Sequence, residues 1–156
     1  MRVRVIAVGT RMPAWVRSGC DEYFKRLAAT LPVTLTEIPP GERTAASAAA
    51  RAIAREGERL LAALRPGEHV AALDERGTQF STRELAAWLR IRQQEGEDLA
   101  FLIGGPDGLA PSVLERSQLK WSLSRLTLPH ALVRVVLAEQ LYRAQSILAN
   151  HPYHRD

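Results

Sequence analysis

Cysteine is almost missing from this chain of 156 residues, with Cys20 the only one. A lone thiol cannot close an internal disulfide, which excludes the stapled scaffold of a small secreted domain and points to a reducing compartment. Cys20 falls on the apolar side of a candidate helix, where a buried, inert thiol is favoured over a nucleophile. No apolar run reaches the roughly 18–20 residues that a membrane span needs. The stretch from Met1 to Val8 has neither the apolar region nor the cleavage site of a signal peptide, so the cytoplasm is the expected location. Lysine is scarce as well: Lys25 and Lys120 are the only ones, and every other basic residue except histidine is arginine. The formal charge of +4 and a pI near 9.8 suit a polyanionic partner without requiring one. Arginine grips phosphate with a planar fork, but a GC-rich genome would explain the bias equally well.

What remains is the composition of a soluble globular protein, 46% hydrophobic and 24% charged. The length suits a single domain over residues 1–156. Val3 to Val8 is β-branched and apolar and reads as a buried strand that Gly9 stops. Beyond Pro13, Val16, Cys20, Tyr23, Phe24, Leu27 and Leu31 recur at helical spacing. Val33, Leu35 and Ile38 suggest a second strand. A surface helix is expected over residues 45–64, and a third strand from His69 to Leu73 with a turn at Asp74 to Gly77. Ser81 and Glu84 have the spacing of a capping box that opens the next helix. Leu99 to Ile103 is a fully apolar fourth strand. A short helix over 111–119, a fifth strand within 121–126 and a final helix over 131–150 complete the pattern. Strands alternate with helices, which gives an α/β fold with a mostly parallel sheet covered on both faces.

Ligands of open parallel sheets bind beyond the carboxyl ends of the strands. Leu73 to Gly77, Ile103 to Gly108 and Leu123 to Pro129 lie at such ends. Gly104 and Gly105, directly after a buried strand, let the backbone approach a ligand closely, although a tight strand-to-helix turn would use them in the same way. The segment matches neither GxGxxG nor a P-loop, and Gly9-Thr10 is too sparse for a dinucleotide site. Leu123 to Pro129 can offer backbone N–H and C=O groups between apolar walls, or it is a buried crossover. The last helix is apolar almost all round. It belongs deep in the core or, preferably, against a second subunit. Glu139 is read as an ion-pair partner of Arg134 or Arg143. His130, after Pro129 at a helix start, is read as structural, and His69 carries no signal. His151 and His154 lack a cysteine or carboxylate at ligand spacing, so no metal is expected.

Leu73-Asp74-Glu75-Arg76-Gly77, LIGGPDGL (Leu102 to Leu109), WSLSRLTLPHALVRVVLAEQLYRA (Trp121 to Ala144) and NHPYHRD (Asn150 to Asp156) together resemble the signature blocks of the RlmH family of SPOUT methyltransferases. VIAVGTRMPAWV (Val5 to Val16) is similar too, and the weakest match lies at about 44–64. The resemblance implies a three-layer α/β/α fold whose C-terminal segment forms a trefoil knot, a homodimer, and S-adenosyl-L-methionine as cofactor. Its binding residues would be Leu73, Gly104, Leu123, Ser124, Arg125, Leu126, Thr127 and Leu128. The implied reaction is methylation of N3 of a pseudouridine in the helix 69 stem-loop of 23S rRNA, in the assembled ribosome. The tail, dense in proton-transferring and phosphate-binding groups, supplies the catalytic candidates His154, Arg155 and Tyr153. The rival readings are a knotted methyltransferase acting on another RNA such as tRNA, and a non-enzymatic ribosome-binding factor.

Overall fold

The computed structural model describes residues 1–44 and 48–155. The chain alternates strictly: β1 (Val3–Val8), α1 (Ala14–Leu27), β2 (Val33–Ile38), α2 (Ala48–Ala63), β3 (His69–Gln79), α3 (Thr82–Gln94), β4 (Leu99–Ile103), α4 (Pro111–Arg116), β5 (Leu119–Ser122) and α5 (His130–Leu148). The strands form one sheet in the order β2-β1-β4-β3-β5, and every ladder is parallel. Every residue of β1 and β4 is buried near the middle of the sheet, which fits the unbroken apolar run of β4 and that of β1, interrupted only by Arg4. Edge strand β2 is half open.

The helices cover both faces, giving three layers. Leu27 of α1, Leu85 and Leu89 of α3, and Leu137 and Leu141 of α5 share one core with Phe101 and Trp121. Leu60 of α2 and Val113 of α4 close the other core over Ile6, Val70 and Leu102. Helix α5 lies against both α1 and α3. The Ser81–Glu84 capping box is present: the Ser81 hydroxyl accepts from the Glu84 amide at 3.1 Å, and the Ser81 amide donates to Glu84 at 3.3 Å. Cys20 is buried, as its place on the apolar stripe requires.

The third strand differs from expectation. It does not end at Leu73; it kinks there and resumes, so that Trp121 of β5 pairs with both Leu73 and Thr78. The intervening residues leave the ladder as a bulge, which aims Asp74, Glu75 and Arg76 outward at the sheet's carboxyl end. Gly77 makes the return possible, because a Cβ there would sit 2.4 Å from the Lys120 carbonyl oxygen. Strand β5 correspondingly starts two residues before Trp121 and ends at Ser122, which frees Leu123 to Pro129 as an irregular segment. Residues 45–47 of the expected second helix lie outside the described residues, as does Asp156.

Candidate functional site

The three strand-end segments converge. After β4, the chain turns through Gly104 to Gly108, closed by a Gly108 amide that donates to the Gly105 carbonyl at 3.1 Å. Gly108 has φ +88°, a left-handed conformation that strains most L-residues. The β3 bulge stands on one side of this turn and the 123–129 segment on another. Between them is a cavity of about 870 Å³, the size of a small-molecule site. Leu73, Ile103, Leu114, Trp121 and Val133 supply apolar walls. Asp74, Glu75, Arg76 and Asp107 supply charge at the rim.

Of the cofactor candidates, Leu73, Gly104, Leu123, Ser124, Leu126, Thr127 and Leu128 all line this cavity. Arg125 is exposed and is not among the lining residues. The segment is shaped by its own short polar side chains. Ser122 donates its hydroxyl to the Ser124 carbonyl at 2.9 Å, and the Leu126 amide donates to the Ser124 hydroxyl at 2.9 Å. Thr127 reaches across to Glu75 of the bulge at 3.4 Å. Among the described residues, the main-chain groups of Thr127 and Leu128 make no main-chain hydrogen bond. They are therefore available to a polar ligand edge held between apolar walls. Leu126 stands at the mouth, 73% exposed.

Helix α5 begins at this cavity and ends far from it. His130 and Val133 line the wall. Burial, and then the Arg134 charge, push the His130 imidazole below its ordinary 6.5, so it is neutral at physiological pH. Arg134 is fixed by Glu37 and by the carbonyls of Val8 and Gly9. At about 1.5 Å rise per residue, the helix is roughly 28 Å long. Its far end carries the tail, which folds back on it. The Tyr153 ring lies 4.6 Å from that of Tyr142, and the Arg143 guanidinium stacks on it at 4.6 Å. Arg143 also pairs with Glu139 at 2.7 Å, so of the two partners expected for Glu139 the structure selects this one. His154 is half-buried and Arg155 exposed. The tail candidates thus stay together, at the opposite end of α5 from their own chain's cavity.

Two residues that the sequence did not single out, Glu56 and Arg43, lie behind the site. Glu56 of α2 is 2% exposed and lies under the glycine turn, and Arg43 links it to Asp107. The available signal was a carboxylate between Ala52 and Leu60 on the buried stripe of α2.

The family model described as "Predicted SPOUT methyltransferase" matches residues 1–154. A protein of Chromohalobacter salexigens named Ribosomal RNA large subunit methyltransferase H is 56% identical over 99% of this chain and 100% of its own length. One of the same name from Thiobacillus denitrificans is 53% identical over 100% of both. The chain belongs to the RlmH family of SPOUT methyltransferases. Its fold has solved counterparts. A probable methyltransferase from Bordetella pertussis superposes with a TM-score of 0.59 at 21% identity, over 92% of this chain and 93% of that one. A family of methyltransferases requires a methyl-donor cofactor, and the cavity has the volume of a small-molecule site. No group of metal-ligating side chains exists among the described residues, and none of their helices is long and apolar enough to cross a membrane.

Proposed function

We propose that this single domain, residues 1–156, is an S-adenosyl-L-methionine-dependent methyltransferase that acts on N3 of a pseudouridine in the helix 69 stem-loop of 23S rRNA, in the assembled ribosome of the cytoplasm. The observation that carries the reading is the convergence of Leu73, Gly104 and the 123–128 segment on one cavity, in a chain 56% identical over its length to a named large-subunit rRNA methyltransferase.

The donor set fits the cofactor. Backbone groups of Thr127 and Leu128 suit the edge of an adenine, and Leu73, Ile103 and Trp121 suit its faces. Gly104 lets the turn close at the cavity, since a Cβ there would stand 2.8 Å from the Gly108 carbonyl oxygen. When bound, the cofactor supplies a sulfonium methyl group, an electrophile open to in-line attack. The protein's part is to align the acceptor nitrogen with it and to manage one proton. An imide N–H is a poor nucleophile until it loses that proton. His154 is assigned as the acceptor or its helper, Arg155 as the cation that stabilises the resulting negative charge or grips phosphate, and Tyr153 as a stacking or hydrogen-bonding group.

The tail cannot serve the cavity of its own chain while it is folded against the far end of α5. A homodimer resolves this, with the tail of one protomer completing the other's site. Leu132, Val135 and Val136 of α5 are only half-buried, and Trp15 of the adjoining α1 is 57% exposed, leaving apolar surface for a second copy. The C-terminal segment is also the part that the family resemblance assigns to a trefoil knot.

Methylation assays with intact ribosomes, separated subunits and naked rRNA test the substrate. Product confined to pseudouridine N3 in intact ribosomes is expected; methylation of tRNA instead would overturn it. Deleting residues 151–156 should abolish methylation while cofactor binding by calorimetry stays within about threefold. Unchanged methylation would remove the tail from the mechanism.

A further inference from the structure

The cavity floor is a glycine turn, and a turn so poor in side chains cannot fix its own position. What fixes it lies outside the cavity. Glu56 of α2 sends its carboxylate beneath the turn: a Cβ added to Gly105 would stand 3.1 Å from Glu56 Oε1. That carboxylate is buried and fully engaged. Its Oε2 accepts from the Gly41 amide at 2.9 Å and from Arg43 Nη1 at 2.9 Å, and its Oε1 accepts from Arg43 Nη2 at 3.2 Å. The same guanidinium turns its Nε to Asp107 Oδ2 at 2.7 Å, and Nη1 also donates to the Gly41 carbonyl at 3.0 Å. One planar fork therefore ties together the segment after β2, the buried face of α2 and the turn after β4. Both carboxylate partners raise the Arg43 pKa, the Glu56 hydrogen bond first, so the arginine stays charged.

The placement of these groups has a direction. Asp107 belongs to the cavity lining, whereas neither Arg43 nor Glu56 does. Arg43 thus restrains the turn from behind, through a bidentate charged pair whose geometry lysine does not reproduce. We infer that Arg43 and Glu56 are positioning residues for the methyl-donor site, holding the turn from Gly104 to Asp107 at the height at which it receives the cofactor. The inference rests on the reading of this cavity as the S-adenosyl-L-methionine site and adds the group that pre-organises it. Loosening the clamp leaves the turn to be ordered by the cofactor at the moment of binding, which weakens binding without altering the RNA contacts.

The test uses full-length protein and two independent variants, Arg43→Gln and Asp107→Asn. The second alters only a rim carboxylate that is 41% exposed, so it folds even if the first does not. Calorimetry with S-adenosyl-L-methionine alone should show a Kd raised about tenfold or more in each. With ribosomes as substrate, KM for the cofactor should rise in parallel while KM for ribosomes stays within about twofold. The double variant should be no weaker than Arg43→Gln alone, because that substitution already removes the link that Asp107→Asn breaks. Arg43→Lys should restore only part of the affinity. Variants that fold and bind the cofactor within twofold of the parent protein would overturn the clamp while leaving the cofactor site standing. A parent protein that does not bind the cofactor at all, with or without ribosomes, would overturn both.

Discussion

Arg134 and Glu37 are separated by 97 residues and meet at 2.6 Å. The arginine is 2% exposed and spends its other terminal nitrogen on the carbonyls of Val8 and Gly9, at 3.1 and 2.8 Å. One guanidinium thereby pins the first turns of α5 to the ends of β1 and β2, beside the cavity wall that His130 and Val133 form. Removing it leaves a carboxylate and two carbonyls without their donor. Arg134→Met should destabilise the fold by about 3 kcal/mol, and Glu37→Gln, whose carboxylate is partly solvated, by about 1–2 kcal/mol. Urea unfolding measures both. A cost below about 1 kcal/mol for Arg134→Met would show that the contact does not hold α5.

Gly77 carries a prediction of a different kind, since no side chain is lost. Its Cβ position meets the Lys120 carbonyl at 2.4 Å and the Trp121 nitrogen at 2.7 Å, and both are backbone atoms. Gly77→Ala must separate β3 from β5 just where the 123–129 segment departs. We expect a stability loss of about 1–3 kcal/mol together with weakened cofactor binding. A variant as stable as the parent, with unchanged cofactor affinity, would mean that the β3 bulge does not shape the cavity.

These two positions show what the sequence made legible. The apolar pattern marks β1 and β4, because continuous burial leaves an apolar run at Val3–Val8, broken only by Arg4, and at Leu99–Ile103, and helical spacing marks α1. It also finds the three strand-end segments, because parallel sheets put their ligands there. The continuation of β3 past Leu73 was hidden, since Asp74-Glu75-Arg76-Gly77 has the composition of a turn and a bulge breaks period two. The clamp was hidden for another reason. Arg43, Glu56 and Asp107 lie on three different elements, and only the fold brings them together. A charged residue inside an apolar stripe, such as Glu56 or Arg134, marks a buried partner without naming it.

At the opposite end of the sheet, Arg4 and Glu68 form a buried pair at 2.7 Å. Burial alone would raise the Glu68 pKa, but the Arg4 hydrogen bond and the Arg65 amide together outweigh it and hold the carboxylate below its ordinary 4.5. A depressed folded value means that ionisation stabilises the fold above pH 4.5, and that this contribution is lost as the pH falls through the folded value. Glu68→Gln should cost about 3 kcal/mol at pH 7, and the gap from the parent protein should shrink steadily below about pH 4.5. Denaturation between pH 2 and 7 checks this; a gap independent of pH would remove Glu68 from acid unfolding.

Cys20 tests the burial of α1. Desolvation, partly offset by the Arg134 charge, pushes its thiol from 9.0 up to about 11. At pH 8 the thiolate fraction is then on the order of one in a thousand, and the sulfur is also inaccessible. Native protein should resist iodoacetamide for hours and react fully in denaturant. Stoichiometric labelling of the native state within minutes would contradict the packing.

Tyr153 separates anchoring from chemistry in the tail. Burial raises its phenol above the ordinary 10, and the Glu139 charge and a hydrogen bond with Tyr23 add to this. Such a phenol is a poor proton source at neutral pH. Its ring, by contrast, is held by Tyr142 and Arg143, contacts that an aromatic hydrocarbon keeps. Tyr153→Phe should therefore retain kcat within about threefold, whereas Tyr153→Ala should release the tail and lower kcat at least tenfold, about 1.4 kcal/mol of barrier. Cofactor affinity should stay within about threefold in either, because the tail is assigned to the acceptor nitrogen and its proton, not to the cofactor. If the phenylalanine variant were as slow as the alanine one, the hydroxyl itself would belong to the reaction, and the tail's order could not be what the ring provides.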